Sequence, residues 1–484
     1  MGVSLNPSTI LSGQGLDVST VVQQIISSQS GQLSVWQGQQ TTLATQEGLL
    51  EGMENNLTSL QTAVAALADP AGALTAQAAN SSNTAVLTAT AQSTAINGTH
   101  QIVVNSLATT GTLYTDPIAA GAGTSFLASG QTSGDIKLQV GGTGGTTHDI
   151  AITQGSNDTL DTLASYINAQ STANNWGVTA SVVSDTTGSR LALFSQNSGS
   201  AGALSVTANT NTTLNFDTPV GGTNASLTID GVPFSSSSNT VTGAIQGVTL
   251  SLASQLPGTS VQLTVGPDTN QITGAINNFI SAYNNVVSTI NTQYVVDPTG
   301  SVPAPPLLGD PSLSAVQSSM LNDAAYAISG NNGYVNLASL GINMNDDGTL
   351  TLGSNAQGQT FAQVVASDPA AVLNFFQNAS GTGFANSFNT DLNNLTDPTS
   401  GPLNVDLAQD QAEGQDLTTT INNFQTQLTN EQTALTQQYD SVNASLQQYP
   451  LLLQEITETL GSLGAGTSSS GSTVPGGPTL TSGL

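Results

Sequence analysis

Apolar positions recur at steps of three and four near the start of the chain. Leu33, Trp36 and Leu43 fall on one stripe, and after Gly48 the pattern sharpens into Leu50, Met53, Leu57, Leu60, Val64 and Leu67. So narrow a seam predicts helix over 16–68, packed against another helix. Ala68-Asp69-Pro70 ends it, since proline disfavours helix in the residue before it. Gly48 and Gly52 each cost about 1 kcal/mol against alanine inside a helix, so the segment is weak alone. The far end mirrors this. Leu417, Ile421, Phe424 and Leu428 lead through Glu431 to Leu435, Tyr439, Val442, Leu446 and Tyr449, with a one-residue phase shift like a stutter. Pro450 is expected to kink or break that helix. Beyond it Leu453, Ile456, Leu460 and Leu463 can resume the seam.

The middle alternates with period two. THQIVVNSLA (99–108), IKLQV (136–140), HDIAIT (148–153), ASLTIDGVPF (225–234), VTLSLAS (248–254) and VQLTV (261–265) read as strands. Asp230-Gly231 is a hairpin signal. TLDTLASYINAQ (159–170) is a short helix among them. No fixed repeat period emerges, which disfavours solenoids and propellers. The fold class is α+β multidomain. Helices from both chain ends form an antiparallel coiled-coil stalk, and two mainly β head domains are inserted between them. The expected division is an N-terminal leg and stalk at 1–79, an inner head at 80–125 and 222–270, and an outer head at 126–221. Stalk and C-terminal leg follow at 271–463, then a disordered Gly/Ser tail at 464–484. The two helical seams either pack only on each other or also pack against further subunits.

Composition narrows the function. Of 484 residues, thirty are Asp or Glu and two are Lys or Arg (Lys137 and Arg190), for a net charge of −28. No basic patch can form, so nucleic-acid binding is excluded and anionic membranes repel the chain. Phosphate-bearing coenzymes are poor candidates for the same reason, and no cofactor is expected. The chain has no cysteine, which removes disulfides, thiolate metal sites and cysteine nucleophiles. No apolar run approaches a membrane span, so no insertion is expected. The opening MGVSLNPSTILSGQG lacks the marks of a secretory signal peptide. From Ile421 to Leu446 only Glu431 and Asp440 are charged, so partner choice cannot use the ionic flanks of ordinary coiled coils.

Candidate chemistry is sparse, and no catalytic or metal residues are assigned. His148-Asp149 begins a hydrolase argument that no G-x-S-x-G elbow completes. Asn343, Asn345, Asp347 and Gly348 partly fit a calcium loop, but its twelfth position is Ser354, and a plain turn explains the run better. GGTGG (141–145) lacks the lysine of a phosphate loop and reads as a hairpin tip. Trp36 lies on the helical seam. Trp176 lies in the outer head, where exposure is expected.

Taken in order, these segments resemble one family, the flagellar filament cap proteins or hook-associated protein 2. The resemblance runs through GQGLDVSTVVQQII (13–26), VLTATAQSTAINGTHQIVVNSLAT (86–109) and WGVTASVVSDTTGSRLALFSQNSG (176–199). It continues through ASLTIDGVPFSSSSNTVTGAIQGVTLSL (225–252), its most specific part, and NNFISAYNNVVSTIN (277–291). LLGDPSLSAVQSSML, LASLGINMNDDGTLTL and VVASDPAAVLNFF follow. The resemblance implies a non-enzymatic ring of five or six copies at the tip of the bacterial flagellum. The ring retains exported flagellin and promotes its folding and polymerisation. The implied partners are further copies, flagellin, hook–filament junction proteins and an export chaperone, with host or surface glycans as a further class. Export by the flagellar type III system without a cleaved signal peptide is implied too. The sixteen seam positions Leu33, Trp36, Leu50, Met53, Leu57, Leu60, Val64, Leu67, Leu417, Ile421, Phe424, Leu428, Leu435, Tyr439, Val442 and Leu446 are the expected assembly residues. The family's legs carry more Lys and Arg than this chain. A self-assembling adhesin or surface-layer protein that binds glycans is the alternative.

Overall fold

The computed structural model describes residues 17–378 and 380–464. The expectations for 1–16 and 465–484 lie outside them. In chain order the helices α1 (Val18–Gln29) and α2 (Gly31–Ala68) come first. They are followed by β1 (Gln77–Ser81), β2 (Leu87–Ala91), β3 (Gly98–Ser106), β4 (Thr110–Tyr114), β5 (Ser133–Val140) and β6 (Thr146–Thr153). After α3 (Leu160–Asn174) come β7 (Val178–Asp185), β8 (Gly188–Ser198), β9 (Leu204–Thr210), β10 (Ala225–Ile229), β11 (Val232–Ser236), β12 (Thr240–Ile245), β13 (Val248–Leu252) and β14 (Val261–Pro267). The chain closes with α4 (Thr269–Thr292), α5 (Pro311–Ala324), the strands β15 (Ile342–Met344) and β16 (Leu350–Leu352), then α6 (Phe361–Ser367), α7 (Pro369–Phe376), α8 (Phe384–Leu395) and α9 (Pro402–Gly464). They fall into two compact units, one of 17–58, 289–318 and 393–464, the other of 59–288 and 319–392.

The first unit is helical. Asp17 caps α1, its carboxylate accepting from the Thr20 amide and hydroxyl, and these bonds hold its pKa below the ordinary value. The helical stretch expected as one piece is interrupted at Ser30, where α1 closes on the Ile26 carbonyl and α2 starts at Gly31. The expected break at Pro450 does not occur, and α9 runs on to Gly464. Proline at 450 frees the Leu446 carbonyl, and with Leu446 half-exposed and 447–453 all exposed, water can take it.

The second unit holds two β cores and a helical bundle. In the first core the sheets β1-β14-β3-β10-β11 and β12-β13-β2 bury Ile102, Val104, Leu227, Leu250 and Leu263. The β10–β11 hairpin turns at Asp230 and Gly231, both at positive φ (52° and 85°), as a type I′ turn requires. In the second core α3 lays Leu160, Leu163 and Ile167 among the strands of β4-β8-β7 and β6-β5-β9. A capping box of Thr159 and Thr162 starts α3. GGTGG forms the β5–β6 hairpin tip, where a Cβ on Gly145 would lie 2.1 Å from the Val140 carbonyl oxygen. Thr110–Tyr114, expected with the inner head, pairs with β8 and buries Leu113 in the second core. Its short alternation suits either sheet, so the pattern alone could not assign it.

The bundle centres on rings. Phe384 lies 5.6 Å, centroid to centroid, from each of Phe279, Phe375, Phe376 and Phe388, and all five are essentially inaccessible. Asn284 on α4 pins the β15–β16 hairpin, accepting from the Leu350 amide at 2.7 Å and donating to its carbonyl at 2.8 Å. The run that partly fits a calcium loop is this hairpin's turn. Its Asp347 accepts from the Thr349 amide and hydroxyl.

Nothing lies within 4 Å of a Cβ added to Gly48 or Gly52 in α2. The substitutions Gly48→Ala and Gly52→Ala should each stabilise the helix by about 1 kcal/mol. Urea unfolding followed by helical circular dichroism should show a raised midpoint, and a lowered one would contradict the open space.

Candidate assembly surface

Within the first unit, α9 runs antiparallel to α1 and α2, and the cross-contacts fix the register. Gln29 Nε2 donates to Glu431 Oε1 at 2.8 Å, and Trp36 meets Phe424 edge to face at 5.2 Å. Gln40 Nε2 donates to Thr418 Oγ1 at 2.8 Å, and Glu47 stands beside Gly414. As numbers rise on α1 and α2 they fall on α9. The link therefore combines apolar burial, an aromatic contact and neutral or singly charged amide hydrogen bonds, as the missing lysines require. Thr418, Thr419, Thr420, Thr426, Thr429, Thr433 and Thr436 each donate their hydroxyl to the backbone carbonyl four residues earlier.

The seam residues divide by burial. Leu50, Met53 and Leu57 are sealed in the first unit, and Leu60, Val64 and Leu67 in the second. Ile421 and Leu428 are buried on α9. Leu33, Trp36, Leu417, Phe424, Leu435, Tyr439 and Leu446 are only half-buried, and Val442 is 45 % exposed. Past them Tyr449, Leu451, Leu452, Leu453, Ile456 and Leu460 all stand largely in solvent. Toward the tips α1 still buries Val18, Val21 and Val22, whereas α9 beyond Leu446 is open. A groove of about 590 Å³ runs between α2 and α9, with Gln40, Leu43, Glu47, Gly414 and Thr418 among its walls.

Carboxylates crowd the base of the same unit without a cation. Asp310 accepts from the Ser312 and Leu313 amides at 2.7 and 3.0 Å, capping α5. Burial, then the neighbouring Asp310, push Asp406 up to about 6. Burial, then Glu413, Glu47 and Asp310, push Asp410 upward as well. Among the described residues no group of three His, Asp or Glu side chains is arranged to hold a metal.

The remaining candidates lie in the β cores. Lys137 pairs with Asp149 at 2.9 Å, and Arg190 sits 3.7 Å from Asp185. His148 stacks on Trp176 at 4.6 Å, and burial lowers its pKa. Trp176 is therefore half-covered by an imidazole rather than bare. His148 and Asp149 are successive residues of β6 and point to opposite faces, so they assemble no hydrolytic pair. His100 Nδ1 and Asp230 Oδ2 are 2.7 Å apart, and the imidazole hydrogen bond, followed by the Gln101 amide, holds the Asp230 carboxyl low. The aromatic cluster around Phe384 escaped sequence reading. FF at 375–376, a lone Phe279 more than ninety residues earlier and the Phe384, Phe388 pair give no period that marks a shared core.

Two outcomes follow from this geometry. In a double-mutant cycle, Trp36→Ala and Phe424→Ala should couple by about 1 kcal/mol, and additive effects would mean the rings do not support one another. For Asp406 the folded-state pKa lies above the unfolded one, so stability is full below about 4 and falls as pH rises through about 6. Asp406→Asn should leave thermal unfolding unchanged near pH 4 and raise its midpoint at pH 7. An equal shift at both pH values would place the effect elsewhere.

Comparisons with known proteins converge. Residues 14–111 match the family description flagellar hook-associated protein 2 N-terminus, 222–450 match flagellar hook-associated protein 2 C-terminus, and 135–197 match the flagellin hook IN motif. The B-type flagellar hook-associated protein 2 of Pseudomonas aeruginosa is 30 % identical over 456 residues, spanning 87 % of this chain and 90 % of that protein. The flagellar hook-associated protein 2 of Escherichia coli K12 is 26 % identical over 362 residues, or 70 % and 74 % of the two chains. The crystal structure of the D1-D2-D3 domains of the Escherichia coli flagellar cap protein FliD superposes with a TM-score of 0.57 at 25 % identity, over 75 % of this chain and 99 % of that one. With the helical ends, the inserted β cores and a relative matched almost end to end, the chain belongs to the flagellar hook-associated protein 2 family.

Proposed function

We propose that this protein is the structural cap at the distal end of the bacterial flagellar filament, outside the cell. There, copies of it form a ring that retains exported flagellin and promotes its folding and polymerisation. One observation carries the reading. A solved flagellar cap protein superposes on three quarters of the chain. The half-open seam fits the role physically. A protein of charge −28 can join its own copies only where apolar contact outweighs repulsion, and α9 offers such a strip from Tyr449 to Leu460. The adhesin alternative gains no support, since every family match is to flagellar proteins.

The finer assignments belong to the same proposal. The ring has five or six copies. Flagellin meets the open half of the seam, and the sixteen seam residues serve assembly, the sealed ones by holding the helices together and the open ones by contact. An export chaperone and the junction proteins are further partners. The helical segments act as leg and stalk, with the two β cores as inner and outer heads. The inner head is 77–109 with 223–267, and the outer head is the stretch between. No helix of the described residues is long and apolar enough to cross a membrane.

Deletion of the gene should give short or missing filaments, with monomeric flagellin shed into the medium. Re-expression of the natural chain should restore filaments, and a chain carrying Leu453→Gln, Ile456→Gln and Leu460→Gln should be exported but fail to restore them. Normal filaments in the deletion strain would overturn the cap reading. Full rescue by the triple variant would remove the strip from it.

A further inference from the structure

Asp323 stands near the end of α5 with only 7 % of its surface exposed. Its carboxyl group lies within hydrogen-bonding reach of the Asp391 carboxyl on α8 and the Ser319 hydroxyl, and its Oδ2 is buried without a donor. Across from it the Tyr283 phenol of α4 is buried, its oxygen also unpartnered. These two, Asp391 and Tyr283, are the titratable groups that bear on Asp323, and neither can be positive. The cations that might neutralise the site are engaged in the second β core, Lys137 with Asp149 and Arg190 with Asp185. The histidines are engaged too, His100 with Asp230 and His148 with Trp176. With Asp323 buried, Asp391 half-buried against it and no cation beside them, the two carboxylates in contact cannot both ionise readily, so one proton stays.

We propose that Asp323 and Asp391 share a single proton that ties α5 to α8, and that losing it at alkaline pH opens the aromatic bundle of the second unit. With the proton in place, one carboxyl O–H donates to the facing carboxylate oxygen. Removed by hydroxide or buffer base, it leaves two negative charges repelling beside the rings of Phe384 and Phe388, which α8 carries. The sign is opposite to that of a salt-bridged aspartate. The folded state keeps a proton that the unfolded chain gives up, because burial and Asp391 raise the Asp323 pKa to about 8. The stabilisation is full below about pH 4 and declines as pH rises through about 8.

The test is amide hydrogen exchange of the full chain by mass spectrometry at pH 6, 7.5 and 9, corrected for intrinsic rates. Peptides from α5 and α8 should lose about tenfold protection between pH 6 and 9, while peptides from α3 hold theirs. Asp323→Asn, whose amide donates to Asp391 without titrating, should abolish the loss. Asp416→Asn, an exposed change of equal charge, should leave it intact. Protection in α5 and α8 that does not change with pH in the natural chain would overturn the proposal, even if Asp323→Asn failed to fold. So would a loss in Asp323→Asn as steep as in Asp416→Asn.

Discussion

With thirty carboxylates against two basic side chains, almost no contact in this molecule can be ionic. The structure follows from that shortage. Both ion pairs of Lys137 and Arg190 lie in the second β core, and the helical parts are left with apolar burial and neutral hydrogen bonds. Gln29, Gln40 and Asn284 therefore do what lysine and arginine do in ordinary helical proteins, joining segments far apart in the chain. Where acids are forced together, as at Asp406 and Asp323, burial and the neighbouring carboxylate raise the pKa, with no cation at hand to lower it.

Much of this could be read from the sequence, because two periods dominate it. Steps of three and four placed both helical ends, and alternation placed β3, β5, β6, β10, β11, β13 and β14 but not the remaining strands of the two β cores. The Asp230-Gly231 turn was legible because two consecutive positive φ angles leave few residue choices. Less was legible where local pattern and long-range partner separate. Nothing in TGTLY says that β4 belongs with β8, and nothing in the spacing of five phenylalanines announces the cluster around Phe384. At Pro450 the alternative of a break fails, since an exposed helix tolerates a lost bond that a buried one would not.

The candidate surface was legible as a stripe but not as a gradient. Sequence spacing treats Leu57 and Val442 alike. In the folded chain the first is inaccessible and the second is nearly half exposed. The difference arises because the first unit's helices are closely packed at one end, while α9 continues past the start of α1. Thus the seam both packs the helices of the first unit on one another and leaves apolar surface exposed on α9.

The threonines along α9 have a bearing on association as well as on packing. Their hydroxyl protons are already committed to the helix's own carbonyls. The free donors of this flank are therefore the amides of its exposed residues, Asn422, Gln425, Asn430 and Gln432 among them, whose long side chains can turn to meet a neighbour.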